Sequence, residues 1–106
     1  MIFYRDLLKS FENNPRDIIT RPTIRREGKW FHVYTENGHV IVTGAKDKCP
    51  KCSISKPRIL QEKECKMMYE LYLLRKQGKQ ISKEAAQSSR NQVYWYGIFS
   101  DLDFNL

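Results

Sequence analysis

An α+β fold is predicted for this 106-residue chain by three features. Apolar residues recur at helical spacing near the amino end, a central pair of apolar strands flanks Asn37-Gly38, and helix-forming residues dominate the last third. The expected order is an amino-terminal helix, a central antiparallel β-hairpin, a knuckle region around Cys49 and Cys52, and carboxyl-terminal helices, all in one domain over residues 1–106.

Ile2, Phe3, Leu7, Leu8 and Phe11 form the first helical stripe, and Asn13-Asn14-Pro15 closes it because proline cannot continue a helix. Residues 30–35 and 39–43 then alternate around Asn37-Gly38, the pair that best tolerates the positive φ angles of a type I′ turn. A two-residue loop there sets Glu36 opposite His39, Tyr34 opposite Ile41, Val33 opposite Val42 and His32 opposite Thr43. Residues 53–60 read as an extended, proline-interrupted edge segment. From Glu62 to Gln77 the chain is rich in Met, Leu, Lys, Glu and Arg, with Met67, Met68, Leu71, Leu74 and Tyr72 as its apolar stripe and Gly78 as its cap.

The net charge of +7 is unevenly spread. Lys46, Lys48, Lys51, Lys56, Arg58 and Lys63 face only Asp47 and Glu62 in the middle of the chain, while residues 91–106 carry Asp101 and Asp103 and no base. That polarity suits a polyanion at the basic segment and a different contact at the acidic end. No run approaches the roughly 20 apolar residues that span a bilayer, and the amino end lacks a signal peptide's pattern. A soluble protein of the reducing cytoplasm, with no membrane partner, is expected. An odd count of three cysteines there favours thiols or metal ligands over disulfides.

Cys49-Pro50-Lys51-Cys52 is a pair of thiols at zinc-binding spacing, and Cys65 follows after a short extended segment. A fourth ligand is needed. His32 and His39 lie on one face of the hairpin but roughly 13 Å apart at about 3.3 Å per residue, so one ion cannot take both. His32, nearer the strand end that leads to Cys49, is the candidate. Over residues 46–75 this pattern resembles a treble-clef zinc finger, in which a knuckle, a hairpin and a helix amino-terminal turn share one ion. The resemblance implies zinc on Cys49, Cys52, Cys65 and a further ligand, yet the position three residues after Cys65 is Met68. His32 or a water completes the set, or the shape persists without metal.

Ile81-Ser82-Lys83-Glu84-Ala85-Ala86-Gln87 followed by Asn91-Gln92-Val93-Tyr94-Trp95-Tyr96 resembles helix-turn-helix DNA-binding proteins over residues 81–99. The resemblance implies Ser82 as a helix cap, Arg90, Asn91 and Gln92 as readers of base edges, and a buried Val93. The connecting Ser88-Ser89-Arg90 is short and lacks glycine, so one continuous helix with Ile81, Ala85, Val93 and Tyr96 in the core is the other reading. Tyr94 and Trp95 could stack on bases of a single strand, or fill the core.

Three function classes follow. A small basic accessory or regulatory protein, of the style of phage and mobile-element factors, would bind nucleic acid, DNA above RNA, or a nucleic-acid-handling complex. Lys46, Lys48, Lys51, Lys56 and Arg58 would neutralise phosphates. An interaction module would instead use Leu102, Phe104 and Leu106, since residues 98–106 resemble the carboxyl-terminal peptides that dock into sliding clamps; alternatively Phe99, Leu102 and Phe104 close the core. A metal-dependent nuclease would use Asp17, Glu27 and Lys29.

Overall fold

A computed structural model describes residues 1–21, 27–79 and 91–104 of the chain. The order is helix α1 (Tyr4–Asn13), strands β1 (Arg16–Ile19), β2 (Trp30–Glu36), β3 (His39–Gly44) and β4 (Arg58–Leu60), then helices α2 (Glu62–Lys76) and α3 (Gln92–Phe104). This is the predicted α+β class. The four strands form one antiparallel sheet in the order β1-β2-β3-β4. Among the described residues no helix is long and apolar enough to cross a membrane.

α1 starts where the Phe3 N–H donates to the Asp6 carboxylate at 2.8 Å, which satisfies an otherwise orphan donor. It buries Tyr4, Leu7 and Phe11, while Phe3 stays exposed. The hairpin adopts the predicted register, with Glu36 opposite His39, Tyr34 opposite Ile41, Val33 opposite Val42 and His32 opposite Thr43. Asn37 and Gly38 both take positive φ, 52° and 77°, as a type I′ turn requires.

β1 has no counterpart among the sequence expectations. It is four residues long, follows Pro15 and shows no alternation, yet it pairs along β2 from Arg16↔Val33 to Ile19↔Trp30. The extended segment after the knuckle supplies β4, an edge strand as expected, paired with β3 through Val40↔Leu60 and Ile41↔Ile59.

One face of the sheet presents Ile18, Phe31, Val33, Val40, Val42 and Leu60 to the helices. α2 buries Cys65, Met68, Tyr69, Leu71 and Tyr72, so its stripe is rotated from the expected one and leaves Met67 and Leu74 partly exposed. Tyr69 and Tyr72 offer larger areas than Met67 and Leu74, and both pack on Phe99 of α3, at 5.1 and 5.6 Å between centroids. Beyond α2, the Gly78 N–H bonds the Arg75 carbonyl and the Lys79 N–H the Leu74 carbonyl, the paired bonds of a Schellman cap at the expected glycine. α3 lies close to the sheet at Gly97, where a Cβ would sit 3.0 Å from the Ile19 carbonyl oxygen and 3.1 Å from the Phe31 ring.

Candidate nucleic-acid interface

Asp17 organises the basic segment. β1 places it opposite His32 with its side chain only 7% exposed, and the carboxylate accepts four hydrogen bonds. Oδ1 takes the His32 Nδ1–H at 2.9 Å and the Lys46 N–H at 3.1 Å; Oδ2 takes the N–H groups of Asp47 and Lys48 at 2.8 and 3.0 Å. Three successive backbone N–H groups curled round one anion form a nest. Burial alone would raise the Asp17 pKa, but the donors of Asp47, Lys46, Lys48 and His32 together outweigh it and hold the carboxyl well below the usual range.

The next residues are tied to β2. The Trp30 N–H donates to the Pro50 carbonyl and the Cys52 N–H to the Trp30 carbonyl, both at 2.8 Å, so Lys51 bridges beside Trp30. The backbone from 46 to 52 is thereby fastened at both ends, with the side chains of Lys46, Lys48 and Lys51 exposed. Lys48 Nζ stands 5.7 Å from the Trp30 ring centroid. Lys56 and Arg58 are exposed further along, and Arg58 connects this segment to the start of α3. Its guanidinium donates to Asn91 Oδ1 at 3.3 Å and lies 5.7 Å from the Tyr94 ring. Two regions nominated separately by sequence, the basic segment and Asn91, therefore meet in space.

Other expectations fare differently. Tyr94 and Trp95 are buried, Trp95 completely, so neither ring is available to a base. Val93, expected inside under both readings of this segment, is 52% exposed. The Gln92 amide donates to the Tyr96 hydroxyl at 2.9 Å. Arg90 and the first helix of the helix-turn-helix resemblance lie outside the described residues. Leu102 is buried in the core with Phe99, the alternative to a docking role, and α3 continues through it to Phe104. Asp101 pairs with Arg16 at 2.6 Å, and Asp103 accepts from the Tyr72 hydroxyl and Lys76. The Phe104 side chain and Leu106 lie outside the described residues.

The four candidate zinc ligands stand in different surroundings. His32 is committed to Asp17. Cys65, buried in the first turn of α2 near Tyr4, is pushed up to about 11 by burial, with Glu62 and Asp6 adding to the shift. Cys49 is exposed, and Cys52 packs against the core, where burial raises its thiol pKa and Lys29 partly offsets it. Among the described residues no group of three or more His, Cys, Asp or Glu side chains is arranged to hold a metal ion. In the nuclease set of Asp17, Glu27 and Lys29, both Asp17 oxygens already serve backbone donors.

Sequence reasoning missed Asp17 as the anchor of this surface and Trp30 as its aromatic member. Lys29 beside Trp30 was a local signal for the second; the first required β1 to be recognised. The chain matches no protein-family model, no curated protein and no solved structure.

Proposed function

We propose that the chain binds nucleic acid, DNA above RNA, through the lysine-bearing segment that Asp17 and Trp30 fasten to the sheet. One observation carries this: Lys46, Lys48 and Lys51 on that segment and Lys56 and Arg58 just beyond it are all exposed, and none enters an ion pair with a described carboxylate. Cations on a fastened backbone can meet a phosphate chain with little further ordering of that backbone, and each contact releases condensed counterions. Asn91, joined to Arg58, extends the surface with a group able to hydrogen-bond a sugar or base edge.

The test is affinity as a function of salt, read by fluorescence anisotropy with labelled oligonucleotides. Binding is expected at about 50 mM salt and should weaken steeply above it, by roughly 0.7 to 0.9 in log–log slope per phosphate neutralised. Replacing Lys46, Lys48, Lys51 and Lys56 together with alanine should flatten that slope by roughly 3. No binding at low salt, or a slope indifferent to the four lysines, sinks the proposal.

A further inference from the structure

We infer that Trp30 is a base-stacking platform and that the ligand of this surface is single-stranded nucleic acid, an inference resting on the nucleic-acid reading above. Strand alternation puts Trp30, His32 and Tyr34 on the face of β2 opposite Phe31 and Val33, which enter the core. His32 and Tyr34 stack at 6.2 Å on that face. Trp30 is half-buried, its main-chain N–H and carbonyl are both bonded to the basic segment through Pro50 and Cys52, and it lies opposite Ile19 of β1. A ring whose backbone is held on a strand can stack with little further main-chain ordering, as a stacking site needs.

The charge around the ring is complementary to a nucleotide. Lys48 Nζ already stands over it, and Lys29 and Lys51 flank it in sequence and across the bridge. A base on the indole would carry its phosphate into this group of ammonium ions. Bases in a duplex are stacked on one another and cannot reach a ring on a sheet face, whereas those of a single strand can. Tyr94 and Trp95, which the sequence left open as stacking rings or core, are buried and cannot compete for the role.

The chain has two tryptophans, and Trp95 is fully buried, so a ligand-dependent emission change reports on Trp30. The full chain is titrated with oligothymidylate and oligouridylate of about 15 nucleotides and with a duplex of the same length. Single strands should quench emission and bind about tenfold more tightly than the duplex. Trp30→Ala should weaken single-strand binding about tenfold while keeping the wild-type salt slope, and Trp30→Phe should weaken it less. A blue-shifted Trp95 emission maximum, as a buried indole gives, confirms that each variant is folded. Equal affinity of wild type for duplex and single strand, or undiminished single-strand binding by Trp30→Ala, overturns the inference and leaves the phosphate-binding surface standing. Absence of all binding by wild type at low salt removes both.

Discussion

The two faces of the sheet are stabilised by different forces. The helix-covered face buries Phe31, Val33, Val40 and Val42 against Trp95, Phe99, Met68 and Leu7. Its stability comes from apolar area and close packing, which depend weakly on salt and on carboxylate titration. The other face carries Asp17 bonded to His32 and to the backbone of residues 46–48. There one buried carboxylate stands in for a core. The difference shows how a small protein can hold a cationic segment rigid: the anchor is satisfied by backbone donors, so the lysine side chains remain available to solvent.

The largest effect that would sharpen this contrast is expected from Asp17→Asn. The amide keeps one oxygen and turns an NH₂ group toward backbone donors, so N–H groups of residues 46–48 lose their charged acceptor and the buried His32 loses its partner. A loss of about 3 kcal/mol follows, seen as a fall in Tm of roughly 15 °C for a domain this size. Amide hydrogen exchange at residues 46–48 should accelerate more than exchange in α3. A variant as stable as wild type would break the comparison, since the second face would then need no anchor.

Acidification removes the same interaction in the unaltered protein, but only partly. The folded-state pKa of Asp17 is depressed, so the unfolded chain binds the proton more tightly than the native one does. Its contribution is therefore complete above the ordinary carboxylate value of about 3.9 and shrinks as pH falls from there toward the depressed value. Denaturant unfolding at about pH 5 and about pH 3 should show the stability gap between wild type and Asp17→Asn narrowing in acid. Effects of the other carboxylates are common to both proteins and cancel. A gap that stays constant, or widens, contradicts the assignment of the shift to Asp17.

The same contrast explains what was legible in the sequence. The hairpin register was readable to the residue because Asn37-Gly38 and its flanking alternation are local, and the cap at Gly78 was readable for the same reason. β1 was not, because Arg16–Ile19 becomes a strand only through pairing with residues that begin at Trp30. Asp17 reaches 15 residues to His32 and 29 to 31 residues to the backbone of 46–48, a set of contacts that no window exposes. The basic segment was visible as charge, and its lysines are exposed as that charge implied. The cysteine spacing is local, but the surroundings of each thiol are not: Cys65 enters α2 with its side chain buried near Tyr4, and Cys52 is fastened beside Trp30. In α2 the sequence placed Met68, Leu71 and Tyr72 correctly and missed at Met67 and Leu74, because α3, an aromatic-rich partner, draws Tyr69 in their place.

The smallest expected effect tests the helix-covered face through a polar group on it. The Tyr4 hydroxyl accepts the Val40 N–H at 2.8 Å and donates to the Leu60 carbonyl, so a side chain from α1 is spliced into the β3–β4 ladder. Tyr4→Phe keeps the ring in the core and removes only this bridge. Val40 and Leu60 are already opposite one another, so the two backbone groups can approach and bond directly with a small shift of the edge strand. The net loss should therefore be about 1 kcal/mol, with unchanged response to acid between about pH 5 and pH 3. Because β4 leads straight into α2, amide exchange should quicken at Leu60 and in the first turn of that helix before it quickens in β2. A loss well above about 3 kcal/mol would mean that the ladder cannot close. The helix-covered face would then also depend on a single buried polar anchor, and the contrast between the two faces would disappear.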